Sequence, residues 1–299
     1  MGGGAWTTAA YNTYTTTTKG FANLAAYNAA SVEQLYTTSS LAEELNPKHI
    51  MRECCDSEEH PNTIPVILAL DVTGSMGKTL EAIAKQLHII IENLYEKIPD
   101  VEFCIMGIGD LAYDQAPIQM GQFESDIRIV EQLDKLYFER GGGGNGWESY
   151  TAAWYMGLHH TKLDCLKRGG KGIIITMGDE PLNPYLSKTK IAAVTGDTSL
   201  ETDIDTNGLY KQVIKKFEVF HIGIKDSGNC FFLHEDNITK SFGELLGDHY
   251  VVSDCDSLYQ TIYNIIESAV DEQKDRKIFN LRNDYPDGVF TIEEEGIGW

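Results

Sequence analysis

Asp71, Thr73 and Ser75 stand at alternate positions directly after the apolar run Ile64-Pro65-Val66-Ile67-Leu68-Ala69-Leu70. One carboxylate and two hydroxyls at a strand end form an oxygen donor set suited to a hard divalent cation. Mg2+ is the first choice, with Mn2+ and Ca2+ as alternatives. Open α/β sheets bind ligands at the carboxyl ends of their strands, which is where such a turn from strand to helix would place the three oxygens. Taken alone, the same pattern serves equally as Asp71 capping the helix that follows. A second apolar strand, Lys171 to Met177, ends on Asp179 and Glu180 roughly a hundred residues later. Between the two lies Gly141-Gly142-Gly143-Gly144-Asn145-Gly146-Trp147-Glu148-Ser149. It lacks the Gly-Lys-Ser/Thr of a phosphate loop, so a flexible turn aimed at a metal explains the glycines better than a nucleotide does.

These residues need elements to hold them. Leu80, Ile83, Ala84, Leu87, Ile90, Ile91 and Leu94 recur at helical spacing, giving a helix over about 75–97. Strands are expected at 101–107, 118–123, 171–177, 219–224 and 249–252, and helices at 127–138, 150–163, 209–217, 238–246 and 258–270. Such alternation predicts one α/β domain over 61–272, with a mostly parallel central sheet and helices on both faces. Residues 1–60 form a Thr-, Ala- and Tyr-rich low-complexity arm and a charged linker, whose aromatic content leaves docking and disorder both open. Residues 273–299 are an acidic tail, with Gly296-Ile297-Gly298-Trp299 as a docking peptide or a loose end.

The sequence Leu70-Asp71-Val72-Thr73-Gly74-Ser75-Met76-Gly77 on a hydrophobic strand resembles the metal-ion-dependent adhesion site of von Willebrand factor type A domains. The resemblance covers about 62–270 and implies their Rossmann-like fold. With Leu45-Asn46-Pro47-Lys48, Arg52-Glu53, Asp56-Ser57 and His60-Pro61-Asn62 before it, the chain looks like a bacterial and phage group with this domain. That family completes its site with a second-loop residue, commonly Thr, and an Asp after a later strand. Here Glu148 falls on the Thr position, a departure that adds negative charge at the ion, with Ser149 or Thr151 as fallbacks. Asp179 is the third-loop residue. Asp110, Glu180 and Arg52 are candidates for supporting the ligands from behind. What the resemblance implies is a non-enzymatic adaptor whose metal captures an Asp or Glu of a partner protein. In bacterial relatives such domains work beside a ring-forming AAA+ ATPase or in a multi-protein system.

Composition narrows the classes. With 24 Lys and Arg against 45 Asp and Glu, a formal charge of −21 repels a nucleic-acid backbone. Six cysteines without a leader or zinc-type spacing read as reduced thiols of a soluble, cytoplasmic chain, and no apolar run is long enough to span a bilayer. Met1-Gly2 fails the myristoylation pattern, since Trp6 stands where Ser or Thr is needed. Asp203-Ile204-Asp205-Thr206-Asn207-Gly208 opens like a calcium loop, but Ile214 occupies the position of the bidentate Glu. His159, His160, His221 and His249 lack paired ligand spacing and read as structural. The competing class is a metal-dependent hydrolase using Asp71, Glu148, Asp179 and Glu180 to activate water, which the lack of a histidine base in those loops disfavours.

Overall fold

A computed structural model describes residues 4–141 and 146–284. Met1-Gly2, residues 142–145 of the glycine turn and the 296–299 peptide lie outside the described residues.

The arm comes first, with three short helices: α1 (Thr8–Thr13), α2 (Leu24–Asn28) and α3 (Val32–Leu35). Thr7 and Asn23 cap the first two by accepting from Ala10 N and Ala26 N, and Ser31 with Gln34 forms a capping box on the third. Beyond the arm the order is β1 (Arg52–Cys54), β2 (Ile64–Asp71), α4 (Gly77–Tyr95), β3 (Val101–Ile108), β4 (Ile118–Met120), α5 (Arg128–Asp134), α6 (Thr151–His159), β5 (Thr161–Leu163) and β6 (Gly172–Gly178). Then follow β7 (Tyr185–Leu186), α7 (Lys188–Thr195), β8 (Ile204–Asp205), α8 (Thr206–Val213), β9 (Phe217–Ile224), α9 (Cys230–Leu246), β10 (Tyr250–Ser253) and α10 (Leu258–Asp284).

The main sheet runs β10-β9-β6-β2-β3-β4. This corrects the expected single, mostly parallel Rossmann-like sheet of a von Willebrand type A domain: the six-stranded sheet is mixed, and two-stranded sheets accompany it. The reason is connection length. The nine residues between β3 and β4 cannot hold a crossover helix, so β4 returns antiparallel, with Ile108 opposite Ile118. The linker supplies β1, which pairs parallel with β5, and the polar stretch 182–208 folds as the antiparallel pair β7 and β8 around α7. The calcium-like run caps α8 instead, with Asp205 accepting from Gly208 N.

β2 is buried on both faces. Val66, Leu68 and Leu70 join α4, α5, α10 and the arm in one core, while Ile67 and Ala69 join α6, α8 and α9 in the other. The strand therefore reads as a continuous apolar run, and its last residue, Asp71, is carried into the interior.

The arm docks. Tyr27 and Tyr36 donate to the α4 carbonyls Ala84 O and Leu80 O at 3.0 and 3.1 Å, and the Tyr11 ring stacks on His88 at 4.5 Å. Lys19 pins it, donating to Leu35 O at 2.7 Å and lying 3.3 Å from the buried carboxylate of Asp134. Burial pushes the Asp134 carboxyl up to about 6 against the pull of Lys19. Removing one partner of such a pair leaves a buried charge, at a cost of about 3 kcal/mol. Lys19→Met is expected to lose about that much at pH 8, read by urea unfolding. The loss should be smaller at pH 5, because without the ammonium Asp134 protonates more readily and sheds its charge; equal losses at both pH values would contradict the pairing.

Candidate functional site

The strand ends and the loops beyond them meet at the carboxyl edge of the main sheet. Asp71, at the end of β2, is fully buried. Its Oδ1 accepts from Thr73 N at 2.9 Å and Thr73 Oγ1 at 2.6 Å, and its Oδ2 accepts from Tyr150 Oη at 2.8 Å. Asp179, directly after β6, accepts from Ser75 Oγ at 3.0 Å through Oδ1, while its Oδ2 is buried without a hydrogen-bond partner. Glu148, ahead of α6, is also buried, and its Oε2 has no partner either.

Beside them opens a cavity of about 420 Å³ lined by Thr73, Gly74, Ser75, Glu148, Glu180 and Cys230, with Arg140 and Trp147 also lining it; Asp71 and Asp179 lie behind Thr73 and Ser75, to which they are hydrogen-bonded. Neighbouring backbone fixes the shape. Gly74 N donates to Gly141 O at 3.0 Å, and a side chain at Gly74 would press on Arg140 O and Gly141 O. Ser227, between β9 and α9, donates to Ser75 O at 3.0 Å and so ties the first loop to the far side of the sheet.

The electrostatics follow from crowding. Burial, then the charge of Asp179, raises the Asp71 carboxyl, while the Thr73 and Tyr150 hydrogen bonds pull it back. Burial raises Asp179 as well. Glu148 rises furthest, through burial and then the charges of Asp71, Asp114, Asp110 and Glu180. Among the described residues lining the cavity Arg140 is the one cationic side chain, and it is exposed. A cluster of carboxylates so placed holds protons or a cation.

Not every expected residue points there. Ser149 Oγ accepts from Leu111 N at 3.0 Å, and Thr151 Oγ1 from Asn183 Nδ2 at 2.6 Å, so both are engaged in holding loops. Asp110 accepts from Ala112 N through Oδ1 and acts on Glu148 by charge. Arg52 donates to Glu44 O and Met120 O and does not line the cavity. Tyr150 escaped the sequence reading. Its hydroxyl donates to Asp71 and accepts from Glu180 N at 3.2 Å, linking two of the three loops. The usable signal was Gly178 at the end of β6, where a Cβ would come within 2.0 Å of Tyr150 Oη. Arg140, Trp147 and Cys230 were also unforeseen as lining residues.

No protein-family model matches the chain, and no curated protein matches it. Solved structures share its fold at low identity. The pilus adhesin SpaC from Lactobacillus rhamnosus GG aligns at TM-score 0.50 and 14% identity, covering 76% of this chain and 32% of that one. SpaC in an open conformation gives 0.49 and 14%, over 76% and 31%. A mutant of the PilB minor pilin from Streptococcus sanguinis gives 0.45 and 14%, over 72% and 62%. The chain thus spans about a third of the adhesin's length, and likeness at this identity speaks to fold alone.

These findings correct three expectations. Membership of the von Willebrand factor type A family is not supported, since no family model matches the chain and the solved structure that aligns at TM-score 0.50 is named a pilus adhesin. Nor is the first loop a metal-ion-dependent adhesion site as expected: both Asp71 oxygens are satisfied by Thr73 and Tyr150, and among the described residues no three His, Cys, Asp or Glu side chains gather closely enough to hold a metal. The short Asp-x-Thr-x-Ser pattern folds here as a hydrogen-bonded turn. The cytoplasmic reading is not supported, since the fold matched at TM-score 0.50 is that of a protein named a pilus adhesin. It leaned on thiols that are free in the structure, and free thiols alone do not place a chain in a compartment. No helix among the described residues is long and apolar enough to cross a membrane.

A cation nevertheless has donors available. The two orphaned carboxylate oxygens and the Ser75 hydroxyl are oxygen atoms of the type Mg2+ prefers, so in donor type the residues fit such an ion.

The Tyr150 contact is open to test. Gly178→Ala should cost about 1–3 kcal/mol by overpacking against the hydroxyl. Tyr150→Phe should cost about 1–3 kcal/mol by leaving a buried Asp71 oxygen without its donor. Because both act on one contact, the double variant should lose less than the sum in urea unfolding, and strict additivity would show the contact to be unimportant.

Proposed function

We propose that the chain is a non-enzymatic protein-binding module whose recognition centre is the carboxylate and hydroxyl cluster at the sheet edge. A divalent cation, Mg2+ by its preference for oxygen ligands, acts there with the chain. Asp179 and Ser75 would hold the ion, Glu148 would close the set from the second loop, and Asp71 with Thr73 would carry the set from within. The ion supplies a positive centre able to accept an acidic side chain of a partner. The observation that carries this reading is the pair of buried, unpartnered oxygens: Glu148 Oε2, on a residue that lines the cavity, and Asp179 Oδ2, on the carboxylate that accepts from the cavity-lining Ser75. Uncompensated carboxylates buried in a soluble chain are destabilising unless something neutralises them. A binding role over a catalytic one draws further support from the matched fold of a protein named as an adhesin.

The chain's own residues would do the remaining work. Tyr150 orients Asp71, and Ser227 fixes the Ser75 backbone, so the donors are held before an ion arrives. Such preorganisation favours binding by reducing what must be ordered.

Calorimetric titration with Mg2+ tests the reading on the whole chain. Wild type should bind the ion and show an unfolding temperature that rises with its concentration and returns on addition of EDTA. Asp179→Asn should weaken binding by at least about tenfold, the effect of losing roughly 1.4 kcal/mol. Equal Mg2+ affinity in the variant, or no Mg2+ response in wild type, would sink the proposal.

A further inference from the structure

α9 turns one face to the core and the opposite face to solvent. Phe231, Ile238, Phe242 and Leu246 are its buried side chains. On the other side, Phe232 and Leu233 are the most exposed large apolar side chains among the described residues, at 80% and 73%. Helical spacing extends this outer face along the element. Phe232, Asp236, Thr239 and Gly243 follow one another at intervals of four, three and four residues and so form a single stripe, with Leu233 beside its first member. Phe232, Asp236 and Thr239 are all exposed, and a Cβ placed on Gly243 would meet nothing within 4 Å. Glycine inside a helix weakens it relative to alanine, and here no described neighbour requires the bare position. An open glycine on an exposed stripe lets a second helix come close to the backbone, and the Phe-Leu pair at the end of that stripe gives such a helix apolar surface to bury.

Charge selects the partner. Asp236 stands within the stripe and Glu235 next to it, both exposed, and the chain as a whole carries 45 acidic against 24 basic residues. Lys240, two turns on from Leu233, is the one Lys or Arg in α9. An acidic partner, or a second copy of this chain, is therefore repelled and a cationic partner attracted. We propose that the outer face of α9 docks a helix of a partner protein that carries large apolar side chains along one stripe and Lys or Arg beside them. The apolar side chains cover Phe232 and Leu233, the cations meet Asp236 and Glu235, and the partner's backbone comes closest over Gly243. Helix-on-helix docking is read at intervals of three and four residues, which is the spacing of the stripe. Neither Phe232 nor Leu233 lines the carboxylate cavity, so this surface stands apart from the cation reading and does not rest on it.

The probes are capped, fluorophore-labelled helical peptides on an alanine host: one with Leu at intervals of three and four and Lys on the flanks, one with Glu for every Lys, and one with Ser for every Leu. Anisotropy titrations against the full chain should rank the leucine-lysine peptide first, with equal affinity in Mg2+ and in EDTA. The Phe232→Ser/Leu233→Ser variant should bind it about tenfold more weakly or worse, as expected for removing two apolar side chains from the contact. Gly243→Gln should weaken binding comparably while its unfolding temperature does not fall, because glutamine is the better helix former and meets open space. A glycine without a docking role would leave the peptide affinity of that variant unchanged. The proposal is overturned if either variant binds the leucine-lysine peptide as tightly as wild type, if the Glu or the Ser peptide binds as well, if no peptide binds, or if binding requires Mg2+. A dimer in light scattering that both variants abolish would assign the face to a second copy and overturn it too. Absence of a Mg2+ response with peptide binding intact would remove the preceding reading alone.

Discussion

The carboxyl edge of the sheet depends on how Asp71 is kept as an acceptor in an interior without solvent. Thr73 supplies a backbone and a hydroxyl donor from two residues away, and Tyr150 supplies a third donor from the start of α6. Those bonds compensate the desolvation of a carboxylate that burial and Asp179 both push toward the neutral form. They also determine geometry. Tyr150 can reach Asp71 only because Gly178 has no side chain, so the β6 terminus, the α6 start and the β2 terminus fit as one assembly.

Around that assembly the sheet is covered differently on its two sides. One core gathers α4, α5, α10 and the arm, and the other gathers α6, α8 and α9. Loops that leave the strands at the edge between them therefore have rigid roots on both faces. Ser227 on one side and Gly141 on the other both bond to the short segment 74–75, which makes the first loop a shared contact between the two halves. The polar centre sits where backbone from four separate chain segments converges.

How much of this could be read in advance depended on the range of the interaction. The β2 and β6 strands, the α4 periodicity and the placing of Asp71 and Asp179 at strand ends are local patterns, and the residues carry them openly. Glu148 was reached through the family resemblance, which set it on the second-loop position, and it lines the cavity. The antiparallel return of β4 was missed because its 118–123 stretch was read for type and not for direction. α9 begins at Cys230, eight residues before the expected 238, since its first turns expose Phe232 and Leu233 and so break the buried-face periodicity. Arg52 illustrates the opposite error: a charged linker residue suggested service to the site, yet its guanidinium bonds two carbonyls elsewhere. Family resemblance built on a five-residue turn also went too far, because the same spacing suffices for a turn that hydrogen-bonds to itself.

The docked arm has a consequence for how the molecule is made. Its anchors bridge long stretches of chain, from Tyr36 to Leu80, Tyr27 to Ala84 and Lys19 to Asp134. During synthesis the arm emerges before any surface it can bind. It must wait, unpaired, until α4 and then α5 have left the ribosome and packed on the sheet. A sequence of threonines, alanines and asparagines punctuated by single tyrosines suits that interval. It carries too little contiguous apolar surface to collapse or aggregate alone, yet enough aromatic area, spaced apart, to lock once the groove appears. Low complexity in this arm is thus compatible with a late-docking part of the fold.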